Sequence, residues 1–168
     1  AGPYCQGAAQ NPVPIFPQGS IAGIFSSSDG LIFISTTTGE INLLASTPGT
    51  YTVNNSIEAN DLFMADSYKN TVTISSKPVV TVNFSQICKG GSTILTACGA
   101  NTYTWIPSYG LSSITGNAVI ASPDVTTSYT ITGTTSSGCS NYVISNVIVS
   151  DGPKIDAGND ITIAPYSS

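Results

Sequence analysis

Four cysteines, Cys5, Cys88, Cys98 and Cys139, are the residues of this chain best equipped for chemistry. A thiol can act as a nucleophile, ligate a metal or close a disulfide, and its neighbours decide which. Nucleophilic catalysis needs a base beside the thiol, and the sequence contains no histidine. That removes the Cys-His and Ser-His-Asp arrangements together, and with them the commonest general base. A zinc site is equally poorly served, because no two cysteines form a CxxC pair and no imidazole can complete a ligand set. Four cysteines spread over separate segments then read either as cross-links made in an oxidising compartment or as buried free thiols.

The carboxylates offer two further chemistries. A paired-carboxylate glycosidase would draw on Glu40, Glu58, Asp61 or Asp66. These fall in turns and at strand ends, where a small β-fold has little room for a cleft, so no catalytic role is expected. Calcium is the other possibility. Asp151, Asp156 and Asp160 gather near one interruption of the chain, where a bound ion would stiffen the joint. They show neither DxD nor EF-hand-like spacing, so they read as solvated charges, and neither metal nor cofactor is expected.

The elements that must position these groups are strands. Only 8% of the residues are charged, Ser, Thr, Asn and Gly dominate the polar set, and arginine is absent. That composition suits strands and turns, not long helices. The formal charge is −5, and the four lysines, Lys69, Lys77, Lys89 and Lys154, are too scattered to bind phosphate backbones or an anionic membrane. No apolar run approaches the roughly 20 residues of a membrane helix. No apolar leader opens the chain, as expected of a mature or excised segment.

The chain also repeats. Lys77-Pro78-Val79-Val80 and Gly152-Pro153-Lys154-Ile155 start alike, with the two prolines 75 residues apart, and Ala1-Gly2-Pro3 is a weaker echo. The spacing suits one small β-sandwich per repeat. We therefore read residues 1–76 and 77–151 as two tandem domains, and 152–168 as a linker and the first strand of a third repeat, carrying Ile155, Ile161 and Ile163. Period-two alternation predicts strands at Ile21–Ser26, Leu31–Thr36, Glu40–Ala45, Thr50–Ile57 and Asn70–Ser75 in the first domain. In the second it predicts Val79–Phe84, Ser92–Cys98, Thr102–Ile106, Ala118–Ala121, Ser128–Thr135 and Tyr142–Ser150. Trp105, the single tryptophan, is expected in a core. Tyr51 and Tyr129 sit at matching places and are expected to close loops through their hydroxyls.

The second domain resembles the PKD-like, Ig-like repeats of large Bacteroidetes surface proteins. The resemblance is carried by Ile87-Cys88-Lys89-Gly90-Gly91-Ser92-Thr93, Thr102-Tyr103-Thr104-Trp105-Ile106-Pro107 and Ser128-Tyr129-Thr130-Ile131, followed by Gly138-Cys139-Ser140. The first domain resembles a sister type through Gly19-Ser20-Ile21-Ala22-Gly23-Ile24-Phe25 and Thr38-Gly39-Glu40-Ile41. Such repeats occur in gliding-motility adhesins and other proteins exported by the type IX route. The resemblance implies an extracellular, cell-surface tandem array, non-catalytic, whose partners are neighbouring repeats. It also implies a Cys88–Cys139 bridge. Cys5 and Cys98 would then pair across the domain boundary or remain thiols. Two departures stand out: Cys98 is additional, and Ala164 falls roughly where the third segment would carry the counterpart of Cys88.

Two rival readings stay open. One is a module that binds surface polysaccharide or a host protein through loop 56–67, with its Leu62, Phe63 and Met64, or through loop 106–117. The other is a self-assembling filament subunit that donates its C-terminal strand to a neighbouring sheet.

Overall fold

In the computed structural model, which describes residues 2–59, 64–152 and 158, the chain is all-β, and the described residues contain no helix. The first half comprises β1 (Tyr4–Cys5), β2 (Ile24–Ser27), β3 (Phe33–Ser35), β4 (Glu40–Ile41), β5 (Gly49–Ile57) and β6 (Asp66–Ser75). One sheet has the order β1-β6-β5-β2, and β3 and β4 pair separately. Its spine is the antiparallel hairpin β5–β6, in register from Gly49↔Ile74 to Ile57↔Asp66. Alternation along this hairpin turns Tyr51, Val72 and Ile74 inward onto Leu31, Ile41 and Leu43.

The strand expected at Glu40–Ala45 stops at Ile41 for a local reason. The Asn42 side chain accepts from the N–H groups of Leu44 and Ala45, each at 3.1 Å, and its carbonyl accepts from Ser46 N–H at 3.0 Å. Such self-bonding makes asparagine a turn former, and here the turn tucks Leu43 into the core.

The second half comprises β7 (Thr81–Val82), β8 (Ser85–Cys88), β9 (Thr93–Cys98), β10 (Thr102–Ile106), β11 (Ala118–Ala121), β12 (Thr127–Thr134) and β13 (Ser140–Ser150). The sheets β10-β12-β13-β8 and β11-β9-β7 enclose a core of which Leu95, Trp105, Tyr129, Ile131 and Val147 are almost wholly buried. Each such aliphatic side chain contributes about 1.5–3 kcal/mol on burial. The run expected as one strand, Val79–Phe84, ends at Val82 because the chain changes sheets at Asn83. That side chain donates to Ile94 C=O at 3.0 Å and accepts from Thr96 N–H at 2.6 Å, taking up bonds the strand gives up.

Both halves share one device: a short strand lies parallel to the last strand. β1 pairs with β6, placing Cys5 opposite Ser75, and β8 pairs with β13, placing Cys88 opposite Ser150. The two hydrophobic clusters have no residue in common.

Candidate functional site at the junction of the two halves

The register just described determines which cysteines can meet. Cys88 sits beside Ser150, whereas Cys139 immediately precedes Ser140 at the other end of the same strand. Ten residues at about 3.3 Å each separate those ends by about 33 Å, far beyond the reach of a disulfide. The expected Cys88–Cys139 pairing is therefore corrected. Cys139 is bonded instead to Cys5, with 5.5 Å between their Cα atoms and 134 residues of sequence between them. Cys98, considered above as a partner for Cys5, is a free and exposed thiol, as is Cys88.

The bridge lies where the chain passes from one half to the other. Cys5 ends β1 and faces Ser75, the last residue of β6; after it come Ser76, Lys77 and the buried Pro78. Cys139 closes the β12–β13 turn and is wholly buried. Polar bonds surround the bridge. Gln6 N–H donates to Ser75 C=O at 2.9 Å, Lys77 Nζ donates to Gly7 C=O at 3.3 Å, and Asn141 Nδ2 donates to Pro78 C=O at 3.1 Å. The backbone of Gly99 also packs on Val79, so closely that an added Cβ would collide with its carbonyl oxygen. The halves are thus joined covalently twice, through the main chain at residues 76–78 and through sulfur.

The aromatic residues singled out above lie inside the halves. Trp105 is 1% exposed and donates through Nε1 to Gly116 C=O at 2.8 Å. Tyr51 hydroxyl donates to Thr47 C=O at 2.7 Å, closing the turn before β5. Tyr129 hydroxyl donates to Tyr109 C=O at 2.7 Å and ties down loop 106–117. Burial pushes the Tyr129 phenol above its ordinary value, with Tyr109 adding to the rise and a Thr127 hydrogen bond opposing it. Loop 106–117 is further held to β10 by Ile114 C=O, which accepts from Trp105 N–H, and Gly116 N–H, which donates to Tyr103 C=O, and to β11 by Ser112 N–H, which donates to Ile120 C=O.

Among the described residues the carboxylates do not form a cluster. Glu40 lies in the two-stranded sheet, while Glu58 and Asp66 flank the far end of the β5–β6 hairpin. Among the described residues no three His, Cys, Asp or Glu side chains could hold one metal ion. Asp151 is exposed, and Asp61, Asp156, Asp160, Leu62, Phe63 and the stub isoleucines Ile155, Ile161 and Ile163 lie outside the described residues. Met64 is described and is 89% exposed. A groove of about 770 Å³ beside that hairpin is lined by Tyr4, Phe16, Phe25, Tyr68 and Val72, among others.

The Cys5–Cys139 pair escaped the sequence reading, although a signal for it exists. Cys5-Gln6-Gly7 and Cys88-Lys89-Gly90 share a Cys-x-Gly pattern that marks corresponding places in the two halves.

No protein-family model matches the chain, and no curated protein matches it. Among solved structures it is similar to the N-terminal four Ig domains of Dscam1 isoform 6.9, at 10% identity over 73% of this chain and 33% of that one, with a TM-score of 0.35. It is similar to the insect immune protein hemolin at 13% identity over 86% of this chain and 48% of that one, with a TM-score of 0.33. A three-Ig segment of titin gives 11% identity, 85% and 56% coverage, and a TM-score of 0.36. The chain spans about a third to just over half the length of these structures. Its all-β sandwich character rests on its own sheets.

Proposed function

We propose that this chain is a non-catalytic structural segment of an extracellular, adhesin-type array, in which residues 1–76 and 77–151 are successive Ig-like modules. The reading rests on one observation: the Cys5–Cys139 bridge ties two separately cored halves together at their junction. A main-chain connection alone leaves a hinge, and a second covalent link beside it removes most of the bending freedom. A stiff joint serves spacing and presentation. The stable cross-link suits an oxidising compartment outside the cytoplasm. Within this reading the array acts as a stalk for attachment or gliding, and neighbouring modules are its principal partners.

The test is the shape of the molecule in solution with and without the bridge. Small-angle scattering on the oxidised chain is expected to give one narrow distribution of module separations. Cys5→Ala with Cys139→Ala is expected to broaden it while leaving the strand content by circular dichroism unchanged. Equal distributions for the two proteins would show that the bridge does not set the joint, and the stalk reading would fail.

A further inference from the structure

The environment of Cys88 repeats that of Cys5 feature by feature. Each cysteine ends a short strand that runs parallel to the last strand of its half, and each faces a serine there, Ser75 or Ser150. The next residue donates its N–H to that serine's carbonyl, Gln6 at 2.9 Å and Lys89 at 3.1 Å. Two residues further on, Ala8 N–H and Gly91 N–H return to the cysteine carbonyls at 3.1 and 2.8 Å. The intervening Gly7 and Gly90 both adopt positive φ, +64° and +79°, as that tight turn requires. In sequence, a proline stands three residues after each serine, at Pro78 and Pro153.

We propose that Cys88 is the attachment point of a second staple of the same kind, and that its partner is the cysteine in the last hairpin turn of an Ig-like module that follows in the array. The proposal rests on the tandem-array reading above. What lifts it beyond a single exposed thiol is Cys5: the same backbone frame, one module earlier, carries a cysteine bonded to the hairpin cysteine of the next module. Cys88 itself is exposed and unbonded. Cys98 is also exposed, but it ends β9 opposite Thr81 and has no such frame, so it is not part of the pattern.

The bond would form by thiol–disulfide exchange with a small-molecule disulfide such as glutathione disulfide. The Cys88 thiolate attacks it, giving a mixed disulfide and releasing one glutathione thiol. The hairpin cysteine, as thiolate, then attacks the Cys88 sulfur and releases the second. Two protein thiols become one disulfide, and one glutathione disulfide becomes two thiols.

The experiment extends the chain directly after Asp151 with a second copy of residues 77–151 whose own counterparts of Cys88 and Cys98 are changed to serine, which gives the copy's peptides distinct masses and places its proline three residues after Ser150, as Pro78 follows Ser75. The protein is oxidised in a glutathione redox buffer, alkylated and mapped by non-reducing peptide mass analysis. The expected result is a Cys88 bridge to the copy's hairpin cysteine, loss of Cys88 alkylation, and undiminished alkylation of Cys98. The native Cys5–Cys139 bridge reports folding within the same molecule. If it forms while Cys88 stays alkylatable, or joins Cys98 or the Cys88 of a second molecule, the staple proposal is overturned and the array reading survives. If Cys5–Cys139 itself fails to form, both readings fall. Cys88→Ser should leave the copy's hairpin cysteine open to alkylation; a bridge from it to Cys98 would again overturn the proposal.

Discussion

Tyr129 shows how one hydroxyl holds a loop that strand pairing alone leaves free. Its ring is fully buried between the sheets, yet its oxygen reaches Tyr109 C=O twenty residues away in sequence. Burial raises the phenol's pKa, so the folded chain keeps this proton to higher pH than the unfolded chain. The linkage sign follows. The contribution is complete below the unfolded phenol value of about 10 and is lost as pH climbs through the raised folded value. Tyr129→Phe should cost about 1 kcal/mol near neutrality, the net worth of the hydrogen bond. Above about pH 10 the gap between the two proteins should shrink, since the variant has no phenol to ionise there. Urea titrations across the range check this, and a constant gap at every pH would refute it.

At the scale of elements, the staple acts on each half through its unfolded state. Cys5 sits beside Ser75, so with the first half folded the bridge closes a loop of about 64 residues when the second half unfolds, worth about 4 kcal/mol in the chain-entropy account. A similar loop constrains the first half. Cys5→Ala with Cys139→Ala should therefore lower the denaturant midpoints of both halves, followed through Trp105 fluorescence for the second half and amide exchange for the first. A shift confined to one half would contradict a bridge that spans both. Much at this scale was legible beforehand. Period-two alternation located β5, β9, β10, β11 and β12 to within a residue or so, because each has one wet and one buried face. β1 escaped because it has only two residues, and β8, which starts just past the expected Val79–Phe84 run, because one of its two inward positions is the polar Ser85. Alternation reports which way a side chain points and carries no information about which strand lies alongside or in which direction. The parallel pairing of β8 with β13 was therefore invisible, and with it the roughly 33 Å that keeps Cys88 from Cys139. Trp105 and the two loop-closing tyrosines stand out by residue type and by their places in alternating strands, whereas the carbonyls their polar tips reach, twenty residues away for Tyr129, do not.

At the scale of the whole molecule, the position of the Cys5–Cys139 bond decides what happens when the chain is pulled. Tension entering upstream of Cys5 and leaving downstream of Ser150 has a short covalent route: five residues, one disulfide, then β13. β13 is a strand, already close to full extension at about 3.3 Å per residue against a limit of about 3.6 Å. Of the buried residues of the two cores, only Val147 on β13 lies on that route. The 134-residue separation bridged by sulfur is a closed loop that carries no load, so traction cannot unravel it while the bond is intact. Single-molecule stretching should find no lengthening from this loop in the oxidised protein, and a gain approaching about 450 Å once a reductant opens it. The same long gain with the bond intact would contradict this route. A bond that looks like a stiffener of a joint is, along this axis, a tether that keeps its cargo of folded structure out of the line of pull.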